Sequence, residues 1–164
     1  MKNYIAEIEI EKYGKITVKL EREKAPITVD NFVKLVNQKF YDGLTFHRII
    51  SGFMIQGGDP NGDGTGGSDE EIKGEFLING FKNTISHKRG VISMARAQDP
   101  NSASSQFFIM HKDGPFLDGS YAAFGHVTEG IEIVDKICEA VEVEDDNGTV
   151  LYENQPVIKS IRLV

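Results

Sequence analysis

Residues 57–71, GGDPNGDGTGGSDEE, contain the residue types and spacings of two ligand-binding motifs. The calcium-loop pattern D-x-[DN]-x-[DN]-G-x5-E is matched by Asp59, Asn61, Asp63, Gly64 and Glu70. The dinucleotide pattern G-x-G-x-x-G is matched by Gly62, Gly64 and Gly67. Carboxylates would ligate a cation, whereas glycine N–H groups would hold a phosphate, so the flanking segments must decide between the two.

The flanks favour neither motif. A calcium loop needs a helix on each side, but the preceding FMIQGG is strand-like and Pro60 disfavours a helical Asp59. A dinucleotide motif needs a helix directly behind its glycines, whereas the acidic run of residues 69–71 follows and would repel a phosphate. We therefore expect a flexible loop, no metal and no cofactor, with weak calcium binding left as an alternative that titration can test.

Other residues that could do chemistry are scattered. The four histidines stand far apart, without a zinc-type pair, and no G-x-S-x-G motif surrounds the serines of residues 102–105. The single Cys138 excludes an intramolecular disulfide and fits a reducing compartment. The sequence thus predicts no activated nucleophile.

Arg48 is the remaining candidate, in FHRIISGFMIQGGD (residues 46–59). A guanidinium among aromatic and aliphatic residues must find partners or face a cleft. On residue types alone, an ordinary barrel strand whose arginine reaches the surface is the favoured interpretation.

The elements around Arg48 are mainly strands. Period-2 alternation predicts a hairpin from residues 4–11 and the segment ending at Leu20, with Gly14 at the turn. Two short strands joined at Ser51-Gly52 are predicted within residues 46–56, and the others cover residues 90–95, 105–110, 121–127 and 157–163.

Two short helices complete the prediction. One is VDNFVKLVNQKF, N-capped by Thr28, with Asp30 in its first turn, Lys39 in its last and Gly43 closing it. The other follows Gly130. Because strands and helices do not alternate, we expect a mainly β fold, a closed eight-stranded antiparallel barrel capped by two helices, in one domain of residues 1–164.

Composition limits the partners. The chain has 164 residues, of which 40% are hydrophobic and 26% charged, as in ordinary globular proteins. A net charge of -7 argues against nucleic acid or anionic membranes as partners. Without an apolar signal region or a membrane-length apolar run, a cytoplasmic protein is expected.

Three blocks resemble the cyclophilin family of peptidyl-prolyl cis–trans isomerases. They are FHRIISGFMIQGGD, GVISMARAQDPNSASSQFFI (residues 90–109) and FLDGSYAAFGHV (residues 116–127), in the family's order, and the similarity covers essentially the whole chain. The resemblance implies isomerisation of X–Pro bonds in peptides and unfolded proteins, on the outer face of the barrel. A proline-peptide-binding module using the same groove is the alternative.

The resemblance also implies the site residues. Arg48 would be catalytic, with Phe53 and Gln56, and the proline pocket would consist of Phe53, Met54, Phe108 and Leu117. The rest of the groove would be lined by His47, Gln56, Ala95, Arg96, Ala97, Gln106, Phe116 and Tyr121.

Three groove positions differ from the best-known members. Phe116 stands where eukaryotic members usually carry tryptophan, Tyr121 where they carry histidine, and Arg96 where asparagine is common. Because the indole N–H is absent, we expect weakened cyclosporin binding. We expect a monomer without cofactors.

Overall fold

The computed structural model describes residues 3–164. Its eight strands are β1 (Tyr4–Ile10), β2 (Gly14–Leu20), β3 (Phe46–Ile50), β4 (Met54–Gly57), β5 (Val91–Met94), β6 (Phe107–Met110), β7 (Ala123–Glu129) and β8 (Ile158–Leu163). The helices are α1 (Pro26–Asn37) and α2 (Ile131–Ala140), with 3₁₀ turns at Leu77–Asn79, Pro115–Leu117 and Tyr152–Asn154.

The strands form one antiparallel sheet in the order β3-β4-β6-β5-β7-β2-β1-β8. The two outer strands meet where they begin, because Thr45 bridges Val157 and Ile158 N–H donates to the Leu44 carbonyl at 2.7 Å. The expected mainly β barrel with two helices is confirmed, and a short contact rather than a full ladder closes it.

Alternation along the strands builds the core. On β1 and β2 the inward residues Ala6, Ile8, Ile16 and Val18 are fully buried, and the rows between them are partly exposed. Phe32 of α1 packs against Phe107 and Phe124, which attaches the helix to the barrel. Burial of this apolar surface is the main favourable term in folding.

The prediction for the start of α1 was wrong by several residues. The helix begins at Pro26 after Ala25, without a side-chain cap from the chain preceding it. Instead, the buried carboxylate of Glu75 accepts hydrogen bonds from the N–H and Oγ1 of Thr28, both at 2.7 Å. A carboxylate at a helix N-terminus satisfies free N–H groups and the helix dipole, so a residue distant in sequence performs the capping.

The other end also differs from prediction. The helix ends at Asn37, and Lys39 lies outside it with a φ of 59°. Asp30 lies beyond the first turn, where its carboxylate binds Arg22 at 2.7 Å. The hydrophobic periodicity located the helix, but its bounds depend on tertiary contacts.

Candidate active site

Sheet register brings the principal side chains into one row. Arg48 of β3 lies opposite Gln56 of β4, Gln56 lies opposite Phe108 of β6, and Phe108 lies opposite Ser93 of β5. Side chains at paired positions lie on the same face of a sheet. Their neighbours Ile49, Ile55, Ile92 and Ile109 lie in the main core, so the row faces outward.

Below this row lies a second apolar cluster, separate from the main core. It contains Met54, Val91, Phe108, Met110, Leu117 and Ala123, with Phe53 and Tyr121 packed against it. A pocket of about 120 Å³ opens onto the cluster. Nine of the thirteen predicted site residues line it: Arg48, Phe53, Met54, Gln56, Ala95, Arg96, Phe108, Leu117 and Tyr121.

Three hydrogen bonds hold the guanidinium of Arg48 at this pocket. Nε donates to the carbonyl of Asn147 at 2.8 Å, and Nη2 donates to its Oδ1 at 3.1 Å. Nη1 donates to Gln56 Oε1 at 3.2 Å. Arginine carries five N–H donors, and acceptors within residues 3–164 occupy three of those of Arg48. Two N–H donors are therefore left for a ligand.

Gln56 is itself held from the other side. Its Nε2 donates to Gln106 Oε1 at 3.0 Å, and Gln106 Nε2 donates to the Gly66 carbonyl at 2.8 Å. This chain of amides connects the glycine-rich loop to Arg48. It also orients the Gln56 oxygen toward the cation, which is the arrangement that stabilises the guanidinium.

The four other predicted residues lie around the pocket. Ala97 and Gln106 line an adjoining cavity of about 490 Å³, which shares Gln56, Ala95 and Arg96 with the first pocket. Phe116 is exposed, with its ring centroid 5.5 Å from that of Phe53.

His47 does not line the apolar pocket. It is buried and borders a third cavity of about 590 Å³, together with Arg48 and Gln56. Burial lowers the pKa of His47, although Asp59 and Asp63 act in the opposite direction. A neutral imidazole beside Arg48 adds no second positive charge to the site.

Sequence reasoning missed Asn147, which is 99 positions from Arg48. The dipeptide Asn147-Gly148 is by itself typical only of a turn. The preceding run of residues 142–146 is exposed, as expected for a solvated loop. No local pattern indicates that this turn supplies two of the three acceptors for Arg48.

Sequence reasoning also missed a hydrogen-bonded Ser-His-Asp arrangement behind the pocket. His87 Nε2 lies 2.8 Å from Ser93 Oγ, and His87 Nδ1 lies 2.8 Å from Asp118 Oδ1. Ser93 and His87 are almost fully buried, so no substrate reaches the hydroxyl. Burial lowers the pKa of His87 despite Asp118, and the neutral ring stacks on Phe108 with centroids 6.0 Å apart. The arrangement supports the pocket floor.

The glycine-rich loop follows β4, and the next helical element is the 3₁₀ turn at Leu77–Asn79. The carboxylate of Asp59 is buried and accepts N–H hydrogen bonds from Asn61, Asp63 and Gly64 at 2.9, 3.2 and 2.6 Å. It therefore organises the loop, and its oxygens face the backbone. Among residues 3–164, no three acidic, histidine or cysteine side chains gather as metal ligands.

A model of the family described as cyclophilin-type peptidyl-prolyl cis-trans isomerase/CLD matches residues 5–163. The chain belongs to this family. The matched residues include the outward row of Arg48, Gln56 and Phe108. The predicted enzyme class, peptidyl-prolyl cis–trans isomerase, is confirmed.

Bacterial relatives of this cyclophilin are named peptidyl-prolyl cis-trans isomerases. Peptidyl-prolyl cis-trans isomerase B of Bacillus subtilis is 45% identical over 144 residues, which cover 88% of this chain and 92% of the relative. Peptidyl-prolyl cis-trans isomerase A of Dickeya dadantii is 42% identical over 160 residues, which cover 92% and 80% of the two chains.

Solved structures agree with the cyclophilin fold. A cyclophilin-type isomerase of Cryptosporidium parvum matches with a TM-score of 0.87 and 30% identity, over 99% of this chain and 98% of the other. A second structure of that protein, in the presence of the dipeptide Ala-Pro, matches with a TM-score of 0.85 and 31% identity, over 98% of each chain. No helix within residues 3–164 has the length and apolarity needed to span a membrane.

Proposed function

We propose that this chain accelerates rotation about X–Pro bonds in peptides and folding proteins, with Arg48 stabilising the twisted amide above a proline pocket. The observation that carries the proposal is a guanidinium with two N–H donors left for a ligand at the mouth of an apolar pocket. Phe53, Met54 and Phe108 supply the apolar lining.

The size of the pocket supports a small apolar group. Its volume of about 120 Å³ is well below the roughly 300–1,000 Å³ of pockets that enclose whole small ligands. One proline ring is a ligand of suitable size and polarity. The flanking peptide would then lie in the open groove that Gln56, Ala95 and Arg96 share with the adjoining cavity.

The reaction needs no nucleophile. Amide resonance gives the X–Pro bond a rotation barrier of about 18–20 kcal/mol. In the twisted transition state conjugation is lost, so the prolyl nitrogen becomes pyramidal and accepts hydrogen bonds. An N–H of Arg48 that reaches this nitrogen or the adjacent carbonyl would interact more strongly with the twisted than with the planar amide, and only such a difference accelerates the step.

Arg48 would supply only part of the acceleration. A hydrogen bond to a charged group contributes about 1.5–3 kcal/mol, and each tenfold gain in rate requires about 1.4 kcal/mol. The remainder would come from the pocket, which holds the ring while the acyl side rotates, and from the orientation that Asn147 and Gln56 give the guanidinium.

A chymotrypsin-coupled proline-peptide assay on wild type, Arg48→Ala and Arg48→Lys tests the proposal. We expect both variants to lose at least about tenfold in kcat/KM, because lysine lacks the planar set of donors. Calorimetry with the same peptide should show nearly unchanged affinity. Arg22→Ala is the control, since Arg22 is also held by side-chain hydrogen bonds but pairs with the carboxylate of Asp30, outside the pocket lining.

Two outcomes contradict the proposal. A wild type that binds the peptide without accelerating the slow phase is a proline-peptide-binding module. An Arg48→Ala variant with full activity assigns catalysis to the pocket alone. We further propose that the protein is a monomer of the cytoplasm and binds cyclosporin weakly, since Phe116 offers no indole N–H.

A further inference from the structure

Arg96 occupies an unusual position between two aromatic rings. Its guanidinium carbon lies 4.9 Å from the ring centroid of Phe76 and 4.8 Å from that of Tyr121. Both distances are within the roughly 6 Å range of a cation–π contact. The side chain lines both the apolar pocket and the adjoining cavity, so it forms part of the wall between them.

The hydrogen bonds of Arg96 go to the main chain. Nε and Nη2 both donate to the carbonyl of Ser120, at 3.1 and 2.7 Å. Nη1 donates to the carbonyls of Ala97 and Gln98, at 3.0 and 3.1 Å. Four of the five N–H donors are therefore used, in contrast to Arg48, and Arg96 has little capacity left to bind a substrate group.

The contacts of Arg96 lead to the proline pocket. Tyr121 packs edge-on against Phe108, with centroids 5.9 Å apart and an angle of 84° between the rings. The N–H of Ser120 donates to the Leu117 carbonyl at 3.1 Å. By holding Ser120 and Tyr121, Arg96 thus contacts the segment that carries the Leu117 wall of the pocket and the ring that supports Phe108.

We propose that Arg96 is a positioning residue that preforms the rim of the proline pocket, and that it acts through Tyr121 and Ser120 rather than by contacting substrate charge. The proposal rests on the proposed function. This positioning role requires an arginine at position 96, because a lysine ammonium can neither bind the Ser120 carbonyl through two coplanar N–H groups nor present a flat face to two rings.

Steady-state kinetics of Arg96→Lys and Arg96→Ala test the proposal, with three peptides that carry Glu, Ala or Lys beside the proline. A loosened rim weakens binding of the planar and the twisted amide alike, so KM should rise about three- to tenfold while kcat changes less than about twofold. KM should rise by the same factor for all three peptides. Arg96→Lys should show a raised KM like that of Arg96→Ala, because lysine does not replace the contacts of arginine.

The matched control is Arg22→Lys, because Arg22 also uses two N–H groups on one partner, Asp30, at 2.7 and 2.9 Å. It should leave KM unchanged. Thermal unfolding establishes whether each variant is folded. If Arg96→Ala does not fold, the KM of Arg96→Lys alone tests the proposal.

A double-mutant cycle with Tyr121→Leu separates positioning from general stability. Because Arg96 acts through both Tyr121 and Ser120, Arg96→Lys should raise KM by a clearly smaller factor in the Tyr121→Leu background than in the wild type, and an unreduced factor would exclude the route through Tyr121. The Arg96 Nε–H resonance of the wild type should be shifted upfield by the two rings and exchange slowly with water.

Three results would overturn the inference. They are an unchanged KM in folded Arg96→Ala, restoration of KM by lysine, and a loss confined to the Glu peptide, which would identify Arg96 as a substrate-binding cation. Each requires an active wild type. Failure of the proposed function would instead appear as an inactive wild type or an unaffected Arg48→Ala, so the two failures are distinguishable.

Discussion

Replacement of Asn147 by alanine tests whether the turn before β8 orients Arg48. The substitution removes the Oδ1 acceptor, 3.1 Å from Nη2, and keeps the main-chain carbonyl, 2.8 Å from Nε. It places no strain on the backbone, because Asn147 does not have a positive φ, whereas its neighbour Gly148 does. Arg48 would thus lose one of its three acceptors and become free to rotate about its last bonds.

The magnitude follows from exposure. A hydrogen bond to a charged group contributes about 1.5–3 kcal/mol, but Asn147 is exposed, so solvent screening reduces the contribution to about 1 kcal/mol. This corresponds to about a fivefold lower kcat/KM in the coupled proline-peptide assay. Asp146→Ala is the matched control, an exposed neighbour in the same turn that should leave kcat/KM unchanged.

The refuting result comes from the Arg48→Ala background. If Asn147 acts only by orienting the guanidinium, Asn147→Ala should have no further effect once the guanidinium is absent. An additional fivefold loss there would show that the turn affects catalysis by another route. A single variant within twofold of wild type would show that Gln56 and the Asn147 carbonyl suffice.

Two further predictions concern the loop and the groove edge. Burial would raise the pKa of the Asp59 carboxyl, but its N–H donors outweigh burial and hold the pKa below 3.8, so Asp59→Asn should cost about 1–3 kcal/mol of unfolding free energy at neutral pH. The pKa of Asp59 is lower in the folded than in the unfolded protein, so its carboxylate stabilises the fold at pH values above the ordinary pKa. This stabilisation is lost as the pH falls through the lowered pKa. Urea denaturation should therefore show the stabilities of the two proteins converging as the pH falls below about 4. A constant difference down to pH 2 would contradict this assignment. Phe116→Trp should lower the cyclosporin concentration needed for half inhibition, since the exposed side chain gains an N–H donor without disturbing the core. Leu151→Trp, at another exposed position, is the control. Unchanged inhibition of Phe116→Trp would exclude the missing indole N–H as the cause of weak cyclosporin binding.

The fold was largely predictable from local pattern. Two-residue alternation predicted the hairpin of β1 and β2, and helical spacing of Phe32, Leu35 and Val36 predicted α1, because each pattern reflects burial of one face. The start of α1 was not predictable. Its partner Glu75 lies 47 residues from Thr28, and the barrel alone brings them together.

The sequence by itself predicted the residues that line the apolar pocket, because the motif around Arg48 resembles a known family and β-strand register then aligns Arg48, Gln56 and Phe108. Only the tertiary structure decided what holds them. The acceptor Asn147, the support of Phe108 by His87 and the position of Arg96 between Phe76 and Tyr121 all join separate elements of the chain. Local sequence patterns report burial within one element, whereas these contacts depend on how the barrel closes and where its loops lie.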